Sequence, residues 1–222
     1  MKKITWVLFS ALLWIMPISA QQVSIVDSFN AQQLVEDNLV EGCVEISNIS
    51  SPVNGNVNGF ASYGYFERAG SNFPFESGIV LSTGNVSSGG NVINGAILNE
   101  GELNWGTDSD LEAATGVNNL FNATAIQFDF VSVTNQIQFN YILASEEYFA
   151  NFPCLYSDGF AFLIREAGTN NPWQNIALVP GTTVPVNTST VHDEIPGFCA
   201  AENQQFFDGY NMGDTNFNGR TE

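Results

Sequence analysis

Phe139-Asn-Tyr-Ile-Leu-Ala-Ser-Glu-Glu-Tyr148, followed beyond Cys154 by Ser157-Asp-Gly-Phe-Ala-Phe-Leu-Ile164, is the stretch from which the fold of this chain is read. In the first run Ile137, Phe139, Tyr141 and Leu143 recur with a period of two, while Gln138 and Asn140 take the other face. Ile142 and Ala144 partly spoil that alternation. In the second run Phe160, Phe162 and Ile164 share a face, opposite Ala161, Leu163 and Arg165. Two apolar strands therefore present a short acidic loop, Glu146, Glu147 and Asp158, at one end of a sheet.

Outward from this pair the chain keeps the same character. Val44–Ile49, Phe60–Phe66, Ile79–Gly84, Ile126–Phe130 and Asn175–Val179 read as further strands. Ser28 or Asn30 can cap one short helix over residues 30–40, whose Leu34, Val35 and Leu39 share a face. Residues 85–123 are rich in Gly, Asn, Ser and Asp and read as loop. The segment after His192 is polar and aromatic without a clear period. One helix among many short strands and turn residues predicts an all-β domain, a β-sandwich of jelly-roll type with long Asn/Gly-rich loops, over residues 21–222.

The first 20 residues stand apart. Lys2 and Lys3 precede an apolar run from Ile4 to Ile18, and the small residues Ser19 and Ala20 follow. This is the pattern of a secretory signal peptide cleaved after Ala20, and the run is short for a membrane-spanning helix. No other apolar segment is long enough to span, so the mature chain is expected to be exported without a transmembrane segment. Cleavage removes both lysines and leaves Arg68, Arg165 and Arg220 against 23 acidic residues, a net charge of −20. Such a surface repels phosphate backbones and excludes nucleic acid as a partner. It attracts cations, although acidity also serves solubility alone. Of three cysteines in an exported chain, Cys154 in the acidic loop and Cys199 are expected to pair. That bond closes a loop of about 45 residues, for about 3–4 kcal/mol by chain entropy. Cys43 is then left over.

These residues are similar to the choice-of-anchor L domain. The resemblance rests on Phe128-Asp-Phe, Phe139-Asn-Tyr, Ala144-Ser-Glu-Glu-Tyr148, Cys154 and Asp158-Gly-Phe-Ala-Phe-Leu-Ile. Gln33-Leu-Val35, Phe73-Pro-Phe-Glu-Ser-Gly-Ile-Val-Leu-Ser-Thr-Gly84, Asp108-Ser-Asp-Leu111 and Asn175-Ile-Ala-Leu-Val-Pro-Gly-Thr182 agree in order. It implies a bacterial surface or extracellular protein, often of the Bacteroidetes, with adhesion or matrix attachment as the supposed role. The family pattern continues past the element resembling Phe217-Asn-Gly-Arg-Thr-Glu222, so the domain is expected to be C-terminally incomplete and its anchor to lie elsewhere.

The chemistry readable from residue type is mostly that of binding. Glu146, Glu147 and Asp158 are candidate calcium ligands, with Asp108 and Asp110 as weaker ones, because calcium takes six to eight oxygens from carboxylates and carbonyls. The bland alternative is one solvated glutamate and one bonded to loop amides. Asp214-Thr-Asn-Phe-Asn-Gly219 matches the opening of a calcium loop, but position twelve lies beyond residue 222 and no helix pattern flanks it, so a turn leading into a strand is the better reading. Adjacent glutamates on one strand point to opposite faces, which is wrong for a glycosidase pair held about 5–5.5 Å apart across a sugar. The hydrolase elbow Gly-x-Ser-x-Gly is absent, and the single histidine, His192, cannot build a zinc site without more partners. Tyr148, Tyr156 and Trp105 are candidate aromatic contacts for a ligand, although core packing accounts equally well for such rings. The expected function is an exported binding or adhesion module, calcium-stabilised, taking an extracellular glycan, a matrix component or another surface protein. Alternatives are a glycoside hydrolase-like enzyme using Glu146 and Glu147, or a purely structural spacer.

Overall fold

The computed structural model describes residues 21–222 except 41, 43, 58, 97, 99–104 and 135. Residues 1–20, expected to be a signal peptide, and Cys43 lie outside the described residues. The elements in order are β1 (Ser24–Val26), α1 (Ala31–Leu34), β2 (Val44–Ser50), β3 (Tyr63–Glu67), β4 (Ser77–Leu81), α2 (Ser109–Thr115), β5 (Gln127–Ser132), β6 (Ala144–Ser145), β7 (Leu163–Ile164), β8 (Gln174–Asn175), β9 (Phe207–Tyr210) and β10 (Gly219–Thr221).

The architecture is broadly all-β. Its strands form four small antiparallel sheets, ordered β1-β3-β4, β6-β10-β9, β2-β5 and β7-β8, and these do not close on one another. The expected jelly-roll closure is therefore not seen. In the first sheet, β3 pairs with β4 from Tyr63↔Leu81 to Glu67↔Ser77 and with β1 through Ile25↔Phe66. Ile25 and Phe66 point inward with Val23, Ala61, Phe73 and Val86 to form one core. A second core gathers Tyr148, Val179, Val186, Val191 and Phe207. Residues 141–143 lie between the two, with Ile142 packing on the first core and Tyr141 and Leu143 on the second. Ile142 thus breaks the alternation because both faces of this segment are covered.

Local chemistry explains the helices. Asn30 accepts from the Gln33 amide at 2.9 Å while the Gln33 side chain accepts from the Asn30 amide at 3.0 Å, a reciprocal cap. The turn continues through Val35–Leu39 in π form, and Leu34 and Val35 are fully buried. The segment expected to be loop contains α2. Asp108 Oδ1 accepts from the amides of Asp110 and Leu111, and Gly116, at φ +73°, ends the helix in the left-handed conformation. Asn48, at φ +55°, sits where the β2-β5 register shifts, and its side chain donates to Asp129 at 2.7 Å.

The Asp214–Gly219 run resolves into three braces. Asp214 is buried and pairs with the Arg220 guanidinium at 2.5 Å, while Asp208 takes its Nε at 2.7 Å. Asn216 donates to the carbonyls of Ser88 and Val92 and accepts from the Gln22 side chain and the Asn94 amide. Gly219 opens β10, where a Cβ would come within 2.7 Å of Tyr148 Cβ. This calcium-loop pattern is spent on tying the C-terminal strand to the rest of the fold.

Candidate functional site

The acidic loop is built on the end of β6. Ser145 is buried, its Oγ donates to Asp158 Oδ2 in a short hydrogen bond, and it accepts the Glu147 amide at 2.9 Å. That second bond caps a 3-10 turn over Glu146–Tyr148 and turns the strand into the loop. The two glutamates reach different partners. Glu147 Oε2 accepts from Thr188 Oγ1 at 3.2 Å, and the same hydroxyl accepts the Asp158 amide at 3.3 Å. Thr188 is fully buried. Glu146 Oε2 accepts the Leu98 amide at 3.1 Å. With its side-chain nitrogen turned toward Glu146, Asn218 donates to the same oxygen at 2.7 Å. Glu146 Oε1 is buried with no hydrogen-bond partner among the described residues.

The electrostatics follow from burial and crowding. Loss of solvent raises the Glu147 carboxyl to about 7, and the neighbouring Asp158 charge adds to the effect against the Thr188 hydrogen bond. Burial also raises Asp158, opposed by the Ser145 hydroxyl, and raises Glu146. Burial and mutual crowding thus favour the protonated forms of Glu147 and Asp158.

The disulfide between Cys154 and Cys199 is formed, with the Cα atoms 5.8 Å apart. It anchors the loop that carries Asp158 to the turn at Ile195–Cys199. His192 is buried, its Nδ1 donates to the Asp193 carbonyl at 2.7 Å, and its backbone bridges to Glu202. It braces this turn.

Beside the acidic loop lies a cavity of about 820 Å³. Its apolar wall includes Leu81, Phe128, Phe130, Ile137, Phe139 and Phe162. Glu146, Glu147 and Asp158 also line the cavity, and so do Asp108, which caps α2, and Asp110 within it. Asp108 spends one oxygen on its helix cap. Among the described residues no three His, Cys, Asp or Glu side chains gather into a metal-holding group. The candidate aromatics separate. Tyr156 is exposed at the cavity, whereas Tyr148 is 2% exposed and donates its hydroxyl to the Val191 carbonyl at 2.9 Å. Trp105 donates Nε1 to the Ala123 carbonyl at 2.7 Å and packs on Phe60, with Gly55 beneath its ring. Both of these rings are structural. The sequence reading missed Ser145, Thr188 and Asn218. Only Ser145 carried a signal, as the residue before two carboxylates at a strand end.

The pattern of the choice-of-anchor L domain matches residues 21–222, the whole span beyond the leader-like segment. The chain belongs to the choice-of-anchor L family. No curated protein and no solved structure matches it. Membership marks this choice-of-anchor L domain as a bacterial surface-associated module. Among the described residues no helix is long and apolar enough to cross a membrane.

Proposed function

We propose that this choice-of-anchor L domain is an extracellular binding module whose ligand enters the cavity beside the acidic loop. The observation that carries the reading is the cavity itself, about 820 Å³ with an apolar wall and convergent carboxyls at one end. Sites of this size, apolar with a few polar groups that fix orientation, are the usual form of a binding pocket. Adhesion to a glycan, a matrix component or another surface protein would use this site, with Tyr156 at its mouth. Enzymatic use of Glu146 and Glu147 is not favoured, because the two side chains reach different partners rather than facing one another.

Calcium stabilisation is a second reading, favoured by Glu147 and Asp158 meeting beside the hydroxyls of Ser145 and Thr188. Two carboxylates and two hydroxyls fall short of six to eight oxygens, so water or ligand would supply the rest. The binding reading is tested by uptake of a neutral solvatochromic dye such as Nile red. Saturable emission, diminished by Phe139→Arg in a variant with wild-type far-ultraviolet dichroism, is the expected result. No uptake by the folded domain, or uptake unchanged by the variant, would refute it.

A further inference from the structure

Four asparagines of this chain precede glycine: Asn54, Asn58, Asn94 and Asn218. In such a dipeptide the glycine nitrogen can attack the asparagine side-chain carbonyl, because glycine has no Cβ to block the approach. The nitrogen has to be free of a hydrogen bond, and the backbone around it free to turn. Asn58 lies outside the described residues. The other three each follow a bulky apolar residue, Val53, Ile93 and Phe217, so their local sequences are alike. They differ in how the glycine is held. Gly219 belongs to β10 and pairs with Ser145, and Tyr148 Cβ lies 2.7 Å from where its own Cβ would stand. Gly55 is buried beneath the Trp105 ring, and its amide donates to Ser62 Oγ at 2.8 Å. Asn94 and Gly95 are both exposed. Among the described residues the Gly95 amide has no hydrogen-bond partner, and nothing beyond its chain neighbours stands within 4 Å of the place a Cβ would take.

Asn54 and Asn94 make a matched pair. Each turns its Oδ1 to the amide two residues on, Asn54 to Asn56 at 3.0 Å and Asn94 to Ala96 at 3.1 Å. That amide polarises the carbonyl and faces the oxygen on which charge develops during attack. Both carbonyls are therefore activated alike, and the difference lies in the attacking and leaving nitrogens. Asn54 Nδ2 donates to the carbonyl and the hydroxyl of Ser51, each at 3.0 Å. Asn94 Nδ2 makes no hydrogen bond among the described residues, so its departure breaks no contact of the fold.

We propose that Asn94 is a site of spontaneous deamidation and isomerisation, from which the fold protects Asn54 and Asn218. The Gly95 nitrogen gives up its proton and bonds to Asn94 Cγ, the Cγ–Nδ2 bond breaks, and Nδ2 leaves as ammonia with that proton. The cyclic imide then takes up one water at either carbonyl. It opens to aspartate, or to isoaspartate, in which the main chain runs through the side-chain carbonyl. The product carries a new negative charge. In the iso form it also has one more main-chain carbon, four residues before Leu98, whose amide holds Glu146. The inference is independent of what the cavity binds.

The experiment holds residues 21–222 at pH 8, folded in buffer and unfolded in concentrated urea. Samples taken over time are mapped by mass spectrometry, with electron-transfer fragmentation to tell isoaspartate from aspartate. In the folded domain conversion at Asn94 is expected to run at least about tenfold faster than at Asn54 or Asn218, a barrier lower by at least about 1.4 kcal/mol. In urea the three sites should convert at similar rates, since their glycines are then equally free. Equal rates in the folded domain, or conversion led by Asn54 or Asn218, would overturn the assignment. So would an Asn94 that keeps its amide in the folded domain while converting in urea, because the loop would then be closed to attack. The same ranking in urea as in buffer would overturn the protective role of the fold.

Discussion

Replacing Glu147 by glutamine should stabilise the domain above neutral pH and leave it unchanged in mild acid. In the fold the Glu147 carboxyl is raised from the ordinary 4.5 to about 7, chiefly by burial and then by Asp158. Below pH 4.5 it is protonated in both folded and unfolded chains and contributes nothing. Between 4.5 and 7 the folded state keeps a proton that the unfolded chain releases, so stability falls as pH rises and the full cost is present above 7. At 1.36 kcal/mol per decade that cost would be about 3 kcal/mol, but the side chain is half-exposed and screening by solvent brings it to about 1–2 kcal/mol. Glutamine keeps an oxygen for the Thr188 hydroxyl and has no charge to desolvate. For a chain of this size the gain corresponds to about 2–8 °C in melting temperature. The assay is thermal unfolding of residues 21–222 and the Glu147→Gln variant at pH 5 and pH 8. The difference between the two proteins cancels groups that titrate in both. An equal difference at both pH values, or a variant less stable at pH 8, would refute the assignment of a buried, crowded carboxyl.

Other expectations follow from the same geometry. If calcium uses the Glu147–Asp158 site, millimolar calcium at pH 8 should raise the wild-type melting temperature by several degrees and Glu147→Gln by much less, with EGTA reversing the shift; equal shifts would place any calcium elsewhere. Gly219→Ala puts a methyl against Tyr148 Cβ at 2.7 Å, near the fixed base of that side chain, and should cost about 1–3 kcal/mol in urea unfolding. Asn216→Ala removes the donors to the Ser88 and Val92 carbonyls and should cost about 2–3 kcal/mol without altering any calcium response; an altered response would restore the calcium-loop reading. Reducing Cys154–Cys199, which spans 45 residues, should cost about 4 kcal/mol by chain entropy, and an unchanged midpoint under reductant would contradict its role in holding the Asp158 loop.

The sequence by itself determined what depends on local periodicity and residue chemistry. Period-two alternation located the strands at Val44–Ser50, Tyr63–Glu67 and Gln127–Ser132. Asn30 announced the first helix, and the cysteine count pointed to Cys154–Cys199. The Asp108 cap and the Gly116 stop of α2 were also written in the chain, but the surrounding Gly, Asn and Ser masked seven helical residues. β1 and β10 are three residues each, too short for a periodic signal. Tertiary structure alone decided which side chains meet across long separations. Thr188 reaches Glu147 from 41 residues away, Asn216 finds carbonyls more than 120 residues off, and Tyr148 is drawn into a core against Phe207. The same packing moved Tyr148 and Trp105 from candidate contacts to structural rings. Residue type sets what a side chain can do, and the direction of the backbone beneath it sets what it meets.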